Sequence, residues 1–123
     1  MGDLSKNFSR SEFACNGQKC CGGSAPVHPG LITALQELRD KIGAPLIVSS
    51  GFRCKTFNAA INGAENSQHM HGMAADLLIP NGWTPERLAE LAETVPLFHG
   101  GGIGIYPTWV HVDVRKDRAR WRR

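Results

Sequence analysis

The 123-residue chain is 41% hydrophobic, 20% charged and 7% aromatic, with a formal net charge of +3. That length holds one domain with a core of its own, burying roughly two-thirds of the surface the unfolded chain exposes. The composition excludes disordered, collagen-like and fibrous classes, and no apolar run nears the roughly 20 residues needed to cross a bilayer.

In chain order, Met1 to Lys6 lacks the charged-then-apolar layout of a secretory signal, so synthesis as a soluble intracellular protein, or trimming to a mature form, is expected. Ser9-Arg-Ser-Glu12, followed by Phe13, has the form of a capping box at a helix start. Residues 15–26 are rich in Gly and Cys and read as a loop. Pro29 to Ile42 places Leu31, Ile32, Leu35, Leu38 and Ile42 at helical spacing, with Gly43 suited to end the helix. Residues 45–50 form a short apolar, β-branched run, the pattern of a buried strand. Gly51 to Cys54 turns into a second helix over about Lys55 to Asn62, closed by Gly63. Ala74 to Ile79 reads as a strand ended by Pro80-Asn-Gly82. Thr84 caps a third helix with Pro85 at its first position, and Leu88, Leu91, Ala92 and Val95 continue its apolar stripe. His99 to Gly102 reads as a flexible turn, Ile103 to Tyr106 as a strand and Thr108 to Val114 as another. Helices and strands mix without regular alternation. The expected class is therefore α+β, with a small antiparallel sheet and helices packed on it, in a single domain over 1–123.

Two further features are compositional. Six Arg and Lys residues crowd positions 115–123, which reads as a solvated basic tail, with Trp121 pinning it, or as a grip on a polyanion. Cys15, Cys20, Cys21 and Cys54 lack the paired knuckles of a zinc ribbon. Either a disulfide ties the N-terminal loop to Cys54, or the thiols stay reduced and buried.

The chemistry concentrates in two segments. Ser67-Gln-His-Met-His-Gly-Met-Ala-Ala-Asp76 supplies His69 and Asp76, and Trp109-Val-His-Val-Asp-Val114 supplies His111 and Asp113 on one strand face. Two imidazoles and a carboxylate suit zinc, leaving a fourth position for a water that deprotonates near neutral pH. The plainer reading is that Asp76 and His111 hydrogen-bond only each other.

Ser67-x-His69-x-x-Gly72-x-Ala74-x-Asp76 with a later His111-x-Asp113 resembles the zinc D-alanyl-D-alanine carboxypeptidase family, which includes vancomycin-resistance carboxypeptidases, dipeptidases and phage endolysins. Ser49-Ser-Gly-Phe-Arg-Cys54 is similar to that family's Ser-Gly-Tyr-Arg segment, and Asn58 to its following helix. The resemblance runs from about residue 28 to Trp121. It implies a hedgehog/DD-peptidase-like fold and His69, Asp76 and His111 as zinc ligands. It implies Arg53 as the cation beside the scissile peptide or terminal carboxylate, and Ser67 as a hydrogen-bonding partner of the substrate's end. Several family members carry an acid three residues before the last zinc histidine, where this chain has Thr108. Asp113 is then the replacement base or the anchor of His111, with His71 and His99 as other proton carriers.

The implied function is zinc-dependent hydrolysis of D-amino-acid peptides of bacterial peptidoglycan, by a monomer that acts as a D,D-carboxypeptidase or an endolysin-like endopeptidase. Such a protein would be released or phage-associated to reach the wall. The alternatives are a non-catalytic metal- or wall-binding module on the same fold and, less well supported by motifs, a nucleic-acid-binding domain.

Overall fold

The computed structural model describes residues 2–17, 26–64 and 67–123. Part of the expected Gly/Cys-rich loop, with Cys20 and Cys21, lies outside the described residues. A 3₁₀ turn (Arg10–Phe13) precedes α1 (Pro29–Ile42), β1 (Val48–Ser50) and α2 (Lys55–Ala60). A second 3₁₀ turn (Gln68–His71) leads into β2 (Ala74–Leu78), α3 (Pro85–Ala92) and α4 (Pro96–His99). The chain ends with β3 (Gly102–Ile105), β4 (Trp109–Asp113) and β5 (Ala119–Arg122). The fold is α+β.

Local chemistry accounts for the helices. His28 caps α1, its side chain accepting from the Gly30 amide, and Pro29 gives up an amide that has no helical partner there. Gly43 ends the helix at φ 69°, where a side chain would be strained. Thr84 Oγ1 accepts the Arg87 amide at 3.1 Å to start α3. The apolar stripes of α1 and α3 are buried through Leu31, Leu35, Leu38, Leu88 and Ala92.

Those stripes meet one face of a five-stranded sheet ordered β1-β2-β4-β3-β5. Alternation sends Leu77, Val110, Val112 and Ile103 toward the helices, where they join Phe8, Phe13 and Phe98 in the core. Their neighbours point the other way. Register pairs Ser50 with Asp76, Asp76 with His111, His111 with Gly104 and Gly104 with Trp121. One rung therefore crosses all five strands and carries the chemistry.

The structure differs from the sequence reading in three places. The basic tail is not a solvated arm: Ala119–Arg122 is an edge strand, parallel to β3, so the sheet is mixed rather than wholly antiparallel. Both arginines of the strand are met within the fold, Arg120 by Glu93 at 2.7 Å and Arg122 by Glu86. The turn expected at His99 begins as α4, and the first strand starts at Val48 rather than Pro45. Among the described residues, no helix is long and apolar enough to cross a membrane.

Gly104 is what lets Trp121 lie across β3: a Cβ there would stand 2.3 Å from the indole Cε2. The expected outcome for Gly104→Ala is displacement of the indole and a loss of about 1–3 kcal/mol, measured by chemical denaturation, with the far-UV spectrum kept.

Candidate metal centre

The segment that brings in His69 is built from its own residues. Ser67 caps the 3₁₀ turn, its Oγ accepting the His69 amide at 3.2 Å. Gly72 closes the turn at φ 66°, with the Pro26 carbonyl only 2.5 Å from where a Cβ would be. The fixed Ser-x-His-x-x-Gly spacing is thus one capped turn, which drops the chain into β2 with Asp76 on the open face of the sheet.

Hydrogen bonding then fixes both imidazoles. His69 Nδ1 lies 2.7 Å from the Gly51 carbonyl oxygen, which only accepts, so Nδ1 carries the proton and Nε2 keeps its lone pair. That Nε2 lies 3.2 Å from Asp76 Oδ1. His111 Nε2 lies 2.7 Å from Asp113 Oδ2 and donates to it, which leaves the Nδ1 lone pair 3.1 Å from the same Asp76 oxygen. Ligand atoms of His69, Asp76 and His111 all fall within 4.8 Å of one another, and all three residues are buried.

This arrangement has a direct electrostatic consequence. Two nitrogen lone pairs and a carboxylate oxygen converge on one small buried space, and like-signed electron density repels. A cation or a proton must sit among them. Burial would raise the Asp76 pKa, but where protons rather than an ion fill the space, His111 and His69 donate to Asp76 and hold it well below the usual carboxylate range. Burial would lower that of His111, but Asp113 and Asp76 raise it overall. The centre is poised for positive charge, and its His₂Asp donor set fits zinc, which takes imidazole nitrogen and carboxylate oxygen.

The other predicted residues take distinct places. Arg53 donates from Nη2 to Asp76 Oδ2 at 3.1 Å, on the carboxylate oxygen turned away from the imidazoles. Its backbone amide donates to the His69 carbonyl at 3.0 Å, so the Arg53 loop and the His69 turn are tied together. Ser67 lines the cavity in front of the centre, which has a volume of about 340 Å³.

Asp113 is completely buried behind His111. It accepts from the Gly102 amide at 2.8 Å, from Arg115 Nη2 at 2.6 Å and from His111 at 2.7 Å. Burial would raise its pKa, but His111 and Arg115 hold it well below the carboxylate range. Thr108 is exposed in the β3–β4 turn. His71 is exposed and lines a neighbouring cavity with Arg115 and Lys116. His99 is exposed too, with Nδ1 3.2 Å from Glu93 Oε1.

Sequence reasoning missed an aromatic wall. Tyr106 and Trp109 stack at 4.4 Å, and Trp121 Nε1 donates to the Tyr106 hydroxyl at 2.9 Å. The Trp121 ring lies 4.9 Å from that of His111. All three aromatics line the cavity. The readable signal was Trp109, two positions before His111 and so on the same strand face.

Residues 6–113 match the family model described as Peptidase M15. The zinc D-Ala-D-Ala carboxypeptidase of Streptomyces albus G is 40% identical over 79 residues, a stretch covering 58% of this chain. The same stretch covers 31% of that relative, so this chain spans about a third of the length of the curated protein it matches.

If Asp113 orients His111, Asp113→Asn should weaken zinc binding by about 10–100-fold while every ligand atom stays in place. Competition against a chromophoric chelator reads this directly. Unchanged affinity would show that the buried carboxylate serves the fold alone.

Proposed function

Because the chain belongs to the peptidase M15 family, we propose that it is a zinc-dependent peptidase acting on D-amino-acid peptides of bacterial peptidoglycan, by D,D-carboxypeptidase or endolysin-like endopeptidase cleavage. The observation that carries this reading is the pair of imidazole lone pairs aimed at one oxygen of Asp76. The D-Ala-D-Ala substrate named for the Streptomyces relative is the natural first peptide to test.

His69, Asp76 and His111 would hold the ion. Bound there, zinc would act as a Lewis acid, polarising the scissile carbonyl and lowering the pKa of the attacking water. The chain's own residues do the rest. Gly51 and Asp113 fix the tautomers, so that each histidine presents its lone pair without reorganising. Arg53, anchored on Asp76, directs its remaining donors at the substrate's carboxylate or at the oxygen that gains charge in the transition state. The Ser67 hydroxyl spends an acceptor lone pair on the His69 amide and keeps its proton to donate to the substrate's end.

Asp113 acts in this scheme by positioning His111 and not as the base. It lies on the far edge of the imidazole from the ligating nitrogen, and its oxygens are already filled by amide, guanidinium and imidazole donors. Among the described residues, Asp76 is then the only carboxylate lining the cavity.

The decisive experiment is mass spectrometry of muropeptides digested by the zinc-loaded protein. Loss of a terminal D-alanine, or scission of a stem or cross-bridge, is expected, with activity abolished by chelation, restored by added zinc and absent in His69→Ala. Binding of wall fragments without any cleavage would overturn the proposal. Separately, Arg53→Lys keeps the charge but loses the planar fork, so kcat/KM should fall by about 100-fold with zinc content unchanged.

A further inference from the structure

Behind the metal centre, a second pair of reactive side chains meets. Cys15 Sγ stands 3.8 Å from Cys54 Sγ, although the two are 39 positions apart in the chain. Cys15 is buried and Cys54 is partly exposed. Neither lines the metal cavity, and the peptidase reading uses neither.

The backbone on either side of the pair is already docked. The Phe52 amide donates to the Phe13 carbonyl at 2.8 Å, and Asn16 Nδ2 donates to the Ser49 carbonyl at 3.1 Å. Gly51 packs so tightly on the N-terminal segment that a Cβ there would stand 2.6 Å from Phe13 Cα. A disulfide needs its sulfurs at about 2.05 Å, so the two must still approach one another for the bond to form.

We infer that Cys15 and Cys54 are a disulfide-forming pair that clamps the N-terminal segment onto the loop carrying Gly51 and Arg53. The reaction needs an oxidant, and a small-molecule disulfide such as oxidised glutathione supplies it. The more accessible Cys54 attacks one of its sulfurs as the thiolate, releasing one small thiol and leaving a mixed disulfide. Cys15 then attacks the Cys54 sulfur and releases the second. The protein loses two protons and two electrons, and the small disulfide takes them up to become two thiols. The bond braces the metal centre from behind, because the Gly51 carbonyl orients His69 and Arg53 holds Asp76. It also closes a long loop in the unfolded chain and so stabilises the fold.

The test uses the full chain carrying Cys20→Ser and Cys21→Ser, which removes the competing thiols. The protein is treated with oxidised glutathione, denatured with chelator present, alkylated and digested with trypsin. The expected result is an intact mass lower by two hydrogens and a linked pair of peptides, 11–19 with 54–55. The oxidised protein should also melt about 5–15 °C above its reduced form, a shift abolished in Cys15→Ser. Recovery of both cysteines alkylated, or of glutathione on each, would overturn the inference, as would a crosslinked form that melts no higher than the reduced one. Should the double variant fail to fold, peptide mapping of the oxidised wild-type chain decides. The 15–54 link supports the pair, and a link from Cys15 to Cys20 or Cys21 refutes it.

Discussion

Two imidazole nitrogens and a carboxylate oxygen cannot be held face to face in a buried space unless positive charge lies between them. Much of this molecule serves that one constraint. Each histidine is oriented by a group that contributes nothing to the ion itself, the Gly51 carbonyl for His69 and the Asp113 carboxylate for His111. Flipping His69 would leave the buried Gly51 carbonyl without its imidazole donor, a penalty of about 1–3 kcal/mol, and flipping His111 would forfeit its bond to Asp113. The two nitrogens therefore stay aimed at Asp76 with either a proton or an ion between them, and the site is formed before the ion binds.

The sheet makes this possible by spending one whole rung on it. Ser50, Asp76, His111, Gly104 and Trp121 are cross-strand neighbours, and the rows on the opposite face supply core. The fold thus separates an apolar face that stabilises from a polar face that reacts. Glycine at position 104 and at position 102 is part of that division. The first makes room for the Trp121 ring and the second for the Asp113 carboxylate, each at a distance where no Cβ fits.

The extent to which the sequence could be read follows from how local each determinant is. The helix over Pro29–Ile42 was legible to its ends, because its proline, its apolar spacing and Gly43 are all within the segment. The strand segments around Asp76 and His111 were legible for the same reason, through their period of two. The role of Asp113 was not. Period two puts it on the face of His111, but which edge of the ring it meets depends on the Gly102 amide and the Arg115 guanidinium, supplied by β3 and by the chain beyond β4. Strand β5 was missed because its run of arginines looks solvated, and only the partners on α3 and β3 reveal it as an edge.

That strand changes what the C-terminal segment is for. Arg115 neutralises the buried Asp113 and lies 5.2 Å from the Trp121 ring, while Trp121 in turn abuts His111 and holds the Tyr106 hydroxyl. A chain of contacts therefore runs from the tail through a salt bridge and an indole to the His111 imidazole. An uncompensated Asp113 charge would cost several kcal/mol in that position, so Arg115 is a condition for the carboxylate that orients His111. Without β5 the aromatic wall would lose Trp121, and the cover over His111 with it. What composition presents as a charged tail is, by geometry, one side of the site.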